Sequence, residues 1–141
     1  MLNTLTLKNP IRNIIAFSFI ALLSIFAFSS TSTAAEAWQD QSIKVKGEWS
    51  IEQRADGNYL VLSDAFKTRN APDLKFFLSK KSSGSITGDN ATQDAVEFAV
   101  LKTNKGAQSY KIPANINVSD YSSVVLHCEQ YSKLWAASPL K

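Results

Sequence analysis

The sequence predicts an all-β domain, either an antiparallel β-sandwich or a small, partly open barrel, and three observations support this fold class. Apolar and polar residues alternate with a period of two through much of residues 38–141, as in strands with one buried face. Turn-forming residues recur between these short runs. No stretch of ten residues carries the apolar spacing that a helix would need.

The clearest strand covers residues 43–52, where apolar and mostly charged side chains occupy opposite faces. Asp56-Gly57 predicts a hairpin turn after it, because glycine accepts the positive φ of such turns. Residues 59–62 are apolar on both faces, and we therefore predict that they form a central strand.

Proline interrupts the pattern at Ala71-Pro72-Asp73, since it lacks an N–H group and restricts the residue before it. Residues 74–78 resume as a strand with Leu74, Phe76 and Leu78 facing inward. Residues 79–94 are mostly small and polar. We expect them to form the longest and most mobile loop, with almost no apolar contribution to the core.

Four further strands are predicted in the remainder of the chain, at residues 96–101, 108–112, 123–129 and 131–136. The last of them should pair back on the sheet. The three tryptophans, Trp38, Trp49 and Trp135, are expected in the core, because large aromatic side chains dominate core energetics in small domains.

The N-terminal region has the pattern of a cleavable secretory signal peptide. Lys8 and Arg12 precede an apolar run over residues 14–28, which is shorter than the roughly 20 residues that a membrane-spanning helix needs. Small residues at the specificity positions allow cleavage after Ala35 or Ala37. We therefore predict a signal peptide over residues 1–37, a single domain over residues 38–141, a secreted or periplasmic location, and no membrane attachment after cleavage.

The charge distribution argues against nucleic acid as a partner. The net charge of +3 falls to +1 when Lys8 and Arg12 leave with the signal peptide, or to +2 when Glu36 leaves as well. The remaining cations are scattered apart from the pair Lys80 and Lys81, with no basic stripe among exposed aromatic residues. We expect a solvated surface that binds no nucleic acid.

Three groups of residues occur in the same order as in a known domain family. They are Gly57-x-Tyr59-Leu60-x-Leu62-Ser63-x-x-Phe66-x-Thr68-x-x-Ala71-Pro72-Asp73-Leu74, then Leu101-Lys102 with Gly106-x-Gln108-x-Tyr110-x-Ile112-Pro113, and finally Tyr121-x-Ser123-Val124-Val125-x-x-Cys128. Over nearly the whole predicted domain the chain resembles the electron-transfer DM-thirteen domain, which is often found beside DOMON domains in extracellular and membrane-linked proteins. The resemblance implies a β-rich redox module whose cysteine acts as a bare thiol or as a ligand to a group such as haem.

Cys128 is the single cysteine, so no internal disulfide can form. Alternation along its strand places it with Val124 and Leu126 on the apolar face. One interpretation is a shielded core thiol, and the other is the redox or cofactor-binding role that the resemblance implies. The neighbouring His127 should point outward as a surface residue, and it is the second candidate ligand.

Counting ligands excludes most metal centres. Blue copper and structural zinc need more histidine or cysteine ligands than His127 and Cys128 supply. The Cys-x-x-Cys-His motif of covalent haem attachment is absent, and Met1, the single methionine, would leave with the signal peptide. The remaining alternatives are no cofactor, or a haem iron held by Cys128 or by His127. Both residues cannot bind one iron, because strand neighbours point to opposite faces.

These observations favour a small exported redox or electron-transfer module with Cys128 as its functional residue and an unidentified redox partner or envelope protein. We expect no catalytic activity of its own, since a single histidine and the lack of a Gly-x-Ser-x-Gly motif give hydrolytic chemistry little basis. The alternative is a non-catalytic binding or structural β domain of the cell envelope, in which Cys128 only fills the core.

Overall fold

The computed structural model describes residues 31–141, and the regular structure of this region consists of ten β-strands and three short 3₁₀ turns. The first sheet contains β1 (Thr31–Ser32), β2 (Glu36–Ala37), β4 (Glu48–Arg54), β5 (Gly57–Leu62) and β8 (Gln108–Lys111). The second sheet contains β3 (Asp40–Gln41), β6 (Leu74–Ser79), β7 (Ala95–Val100), β9 (Ser123–Cys128) and β10 (Lys133–Pro139). The 3₁₀ turns are Ser83–Ser85, Val118–Asp120 and Glu129–Tyr131.

The two sheets are antiparallel and do not close into a barrel. The strand order is β1-β4-β5-β8 in the first sheet, with β2 also paired to β4, and β3-β10-β9-β6-β7 in the second. The all-β prediction is therefore confirmed, and the sandwich is the observed one of its two alternatives. β5 lies between β4 and β8, as its two apolar faces predict.

The main core lies between the sheets and contains all three tryptophans, as predicted. β6 contributes Leu74, Phe76 and Leu78, the three side chains expected to face inward. The Phe76 ring packs against Trp38 and Tyr110, with centroid distances of 6.4 and 4.9 Å. Aromatic packing of this kind adds to the stabilisation from apolar burial. It anchors β6, the strand paired with β9, which carries both candidate site residues.

β4 begins later than the sequence predicts, at Glu48 rather than at residue 43. The reason is Gly47, whose φ of +83° bends the chain away from the strand conformation. A Cβ atom at this position would lie 2.5 Å from the backbone nitrogen of Phe66, so only glycine fits. Lys46 consequently pairs with Lys67 as an isolated bridge outside the ladder of β4 and β5.

The polar segment 80–94 contributes more to the core than the sequence predicts. Its Ile86 and Ala91 are buried against the outer face of the second sheet. They form a second apolar cluster with Phe77, Val125, Leu134 and Ala137. A Cβ atom at Gly88 would lie 2.1 Å from the carbonyl oxygen of Ser132, which shows how closely the segment approaches β10. The prediction of almost no apolar contribution is therefore wrong, because the two apolar side chains of the segment complete a cluster on the outer face of the sheet.

The last strand pairs with β9 as predicted, but it runs from Lys133 to Pro139 instead of residues 131–136. A 3₁₀ turn at Glu129–Tyr131 occupies the predicted start, and Ser132 ends it with a left-handed φ of +45°. The register shifts between Leu134 and Ala136, which is a β-bulge centred on Trp135. Trp135 and Ala136 both enter the main core as a result.

The predicted signal peptide lies mostly in residues 1–30, outside the described residues. The part that is described runs antiparallel to β4, through β1 and β2. The Thr33 N–H donates to the Ile51 carbonyl at 2.9 Å. Cleavage after Ala35 would remove β1, and cleavage after Ala37 would remove β2 as well. Within residues 31–141, no helix has the length and apolar character needed to span a membrane.

Candidate functional site

Cys128 is the last residue of β9, and its side chain is fully buried. It lies in the main core with Val124 and Leu126, the two residues that strand alternation predicts beside it. Leu74 of β6 is its partner across the sheet. The thiol is therefore at the end of the apolar interior, next to the point where the chain enters β6.

A three-residue turn, Ala71-Pro72-Asp73, covers the thiol, and we call it the cover turn. The Cys128 thiol donates a hydrogen bond to the Pro72 carbonyl, with Sγ and O 3.0 Å apart. The Glu129 N–H donates to the Asp73 carbonyl at 3.2 Å. Asp73 has a left-handed φ of +58°, which aspartate tolerates better than most residues. Pro72 and Asp73 are themselves exposed, so the carbonyl that accepts from Sγ belongs to a surface segment.

The hydrogen bond to Pro72 defines the chemical state of the closed site. A thiol that donates to a carbonyl must keep its proton, whereas the thiolate is the nucleophilic form. The closed arrangement therefore holds an unreactive thiol, and reaction requires the cover turn to move away.

His127 lies on the opposite face of β9 and is only 2% exposed. The prediction of a surface histidine is therefore wrong, although the predicted direction of the side chain is right. Leu134 of β10 is its partner across the sheet, and the Phe77 ring lies edge-on to the imidazole with a centroid distance of 6.1 Å. The second apolar cluster therefore covers His127. Its Nδ1 atom has no hydrogen-bond partner among the described residues. Burial lowers the pKa of His127, although the nearby charge of Glu129 partly opposes this effect.

A charged cluster lies beside the cover turn, on the outer face of the second sheet. The Lys75 ammonium lies 3.5 Å from Asp73 and 3.3 Å from Glu97, and it donates a hydrogen bond to the Glu129 carboxylate. That hydrogen bond and the neighbouring carboxylates raise the pKa of Lys75. Sequence reasoning missed this cluster, because its carboxylates come from three segments that only the sheet brings together. Lys75 thus connects the cover turn to the residue that follows Cys128.

The residues expected to hold haem do not fit that group in this arrangement. Sγ of Cys128 is enclosed and hydrogen-bonded to the backbone, whereas an axial thiolate needs an open position towards the iron. The cleft of about 770 Å³, lined in part by Trp49 and Tyr121, includes neither Cys128 nor His127. A second cleft of about 200 Å³ includes neither of them either. Within residues 31–141, no group of three or more His, Cys, Asp or Glu side chains is arranged to hold a metal ion.

Comparison with known proteins identifies one family. The model of the family described as electron transfer DM13 matches residues 21–140. The matched range contains Cys128, the cover turn and every strand of the two sheets. Searches of curated proteins and of solved structures found no similar chain.

Proposed function

The chain belongs to the electron transfer DM13 family, and from this premise we propose that it is a small exported redox module that uses Cys128 as a bare thiol. The observation that carries this proposal is the thin cover over the sulfur. A buried thiol behind a three-residue turn with an exposed outer side can be reached by a local movement. The poor fit of a haem group favours the bare thiol over a haem ligand.

The chemistry that a bare thiol offers is exchange with a disulfide of the redox partner. Cys128 loses its proton and its sulfur attacks one sulfur of the partner disulfide, so that a new S–S bond forms as the old one breaks. The second partner sulfur leaves with the bonding electron pair and takes up a proton. Cys128 is then oxidised to a mixed disulfide, and the departing sulfur has been reduced to a thiol.

One observation favours the alternative, a non-catalytic binding or structural β domain. The Cys128 side chain is fully buried and packs among apolar residues, as structural cysteines do. The two functions differ in how the thiol becomes reachable. A redox module exposes it while the sandwich stays folded, whereas core filler is exposed only by global unfolding.

Thiol reaction as a function of urea separates these cases. We expect native protein to form a mixed disulfide with glutathione disulfide at a rate that changes little at low urea, because local opening exposes little surface. This rate should exceed that expected from global unfolding by about tenfold or more. A rate that follows global unfolding at every urea concentration would favour the structural function and contradict the redox proposal.

Two lysine variants test whether the cover turn controls access. Lys75→Met removes the cation that connects Asp73 to Glu129, and it should speed the native reaction without changing its weak urea dependence. Lys81→Met is the matched control, because it removes the same charge and an ion pair of 3.0 Å with Asp94, a residue of the 80–94 segment. Equal acceleration in both variants would show that the cover turn does not limit access.

Cys128→Ser provides the background for these measurements. The variant should fold with near-native stability and form no adduct with glutathione disulfide, whereas the wild type should form a mixed disulfide that a chemical reductant reverses. If the variant forms the adduct as readily as the wild type, Cys128 is not the redox group. Protein purified from the exported fraction should also lack Soret absorbance, since a strong Soret band would favour the haem version.

Export is tested separately by intact mass spectrometry. The exported chain should begin just after Ala35 or Ala37. A mass that still includes residues 1–28 would contradict the signal peptide without affecting the thiol proposal.

A further inference from the structure

Five exposed cations from three separate segments of the sequence gather on one side of the sandwich. We call this surface the basic groove, and its cations are Lys44, Lys46, Lys67, Arg69 and Lys105. Isolated bridges join Lys46 to Lys67 and Lys67 to Lys105. All of them except Lys105 line, with Thr68, a cleft of about 200 Å³. The fold therefore creates a concentration of positive charge that the scattered sequence pattern does not predict.

The charge of the basic groove is not neutralised within the described part of the chain. None of its five cations has a carboxylate within ion-pair distance among residues 31–141, whereas Lys75, Lys81 and Lys111 each do. Lys46 and Lys67 exchange backbone hydrogen bonds of 2.9 and 3.2 Å, which places like charges directly opposite each other. Such pairs are destabilising. An anionic partner would relieve this repulsion.

The side chains that line the basic groove favour an extended acidic surface over a small anion. Its only buried polar side chain, Thr68, is already occupied, because it accepts from the Trp135 indole at 2.8 Å and donates to the Lys44 carbonyl at 3.3 Å. The groove thus has no free buried donor with which to enclose one small ion. The large exposed apolar side chains of the described region, Val100 and Tyr131, do not line it, so it lacks an anchor for insertion into a lipid surface.

The basic groove is connected to the thiol through a short stretch of backbone. Lys67, Thr68 and Arg69 line the groove, and Pro72, three residues after Arg69, accepts the hydrogen bond from Cys128. Three residues span at most about 11 Å even when fully extended. A partner bound at Arg69 therefore contacts the segment that leads into the cover turn.

From these observations we infer that the basic groove is the docking surface for an acidic face of the redox partner protein. The inference rests on the proposed redox function and adds the place and charge of its partner. Docking at Lys67 and Arg69 places the partner next to the cover turn, where its disulfide can meet Cys128 once that turn moves. Complementary charge also speeds the encounter of the two proteins.

A charge-reversal pair with a matched control tests the docking surface. The probe is a poly-L-glutamate peptide, and its binding to the exported protein is measured by calorimetry at low and at moderate salt. Lys67→Glu combined with Arg69→Glu should weaken binding by about tenfold or more. Lys80→Glu combined with Lys133→Glu changes the net charge equally at exposed cations outside the groove, and it should retain most of the wild-type affinity.

Several outcomes would overturn the inference. Equal losses in the two double variants would mean that only net charge matters. Tighter groove-dependent binding of phosphatidylglycerol vesicles or of a single-stranded oligonucleotide than of poly-L-glutamate would point to a different class of partner.

The failure of the docking surface is distinguishable from the failure of the proposed function. Binding of poly-L-glutamate should be unchanged in Cys128→Ser, because the thiol does not line the groove. If the groove binds the peptide but Cys128 is unreactive, the proposed redox function fails, and with it the inference that the bound partner is a redox protein. If Cys128 is reactive but binding does not depend on the groove, the docking inference is contradicted and the redox function is unaffected.

Discussion

The two faces of the second sheet enclose adjacent residues of β9 in different ways. The inner face packs against the other sheet and surrounds Cys128 with a large aromatic and aliphatic core. The outer face is covered in part by the 80–94 segment, which supplies only Ile86 and Ala91, and it encloses His127 without a partner for Nδ1. The difference shows that equal burial does not mean equal packing. We expect packing on the inner face to contribute most of the free energy of unfolding, and packing on the outer face to be lost first as the protein unfolds.

The largest expected effect compares two neighbouring phenylalanines of β6. Phe76 is in the inner core and Phe77 is in the outer cluster, and both are buried. Phe76→Ala should cost about 4 kcal/mol of unfolding free energy and Phe77→Ala about 3 kcal/mol, because fewer side chains surround the outer cavity. Urea denaturation measures both values. An equal or larger cost for Phe77→Ala would mean that the outer cluster is a second core of equal weight.

A smaller effect is expected where the 80–94 segment meets β10. Gly88→Ala places a Cβ atom against the Ser132 carbonyl, which is backbone and cannot rotate away, so we expect a loss of about 1–3 kcal/mol. Gly84→Ala is the control in the same segment, since its Cβ would meet nothing within 4 Å. Its effect should stay within about 0.5 kcal/mol in urea denaturation. Similar values for both variants would show that the segment does not press on the sheet.

The smallest expected effect is the pH dependence that His127 contributes. The ordinary pKa of 6.5 applies to the unfolded chain, and burial lowers the pKa in the folded protein. Between these two pKa values the unfolded chain binds more protons. The contribution of His127 to stability is therefore complete above about pH 6.5 and declines as the pH falls towards the folded pKa.

His127→Phe isolates this contribution, because it removes the titrating group and keeps an aromatic ring in the outer cluster. Urea denaturation of the wild type and the variant across this pH range should give a difference that grows as the pH falls below 6.5. A constant difference would mean that His127 has the same pKa in the folded protein as in the unfolded chain.

Local patterns predicted most of the fold. Alternation identified the inward residues of β6 and β9, because a strand fixes the direction of each side chain from its neighbours alone. The early start predicted for β4 failed at Gly47, whose bend depends on the close approach of Phe66 from beyond the next strand. Such contacts are set by tertiary packing and leave little trace in a single sequence.

The candidate site shows the same division. Strand alternation placed Cys128 and His127 on opposite faces, as observed. The cover over His127 comes from Phe77 and Leu134 on the neighbouring strands, so its burial could not be read from its own strand. The apolar face of β9 was enough to suggest that Cys128 is shielded, but not that the cover turn lies over it. The sequence also carried no sign of the basic groove, since its three segments meet only through the bridges at Lys67.

The β-bulge at Trp135 makes this tryptophan an optical reporter. The bulge turns the indole into the core, where its N–H donates to Thr68, in the segment that leads from the basic groove to the cover turn. A movement of that segment would break the bond and change the polarity around the ring, and indole emission responds to both. In a protein that keeps Trp135 and carries phenylalanine at positions 38 and 49, fluorescence would therefore follow the opening of the thiol in real time.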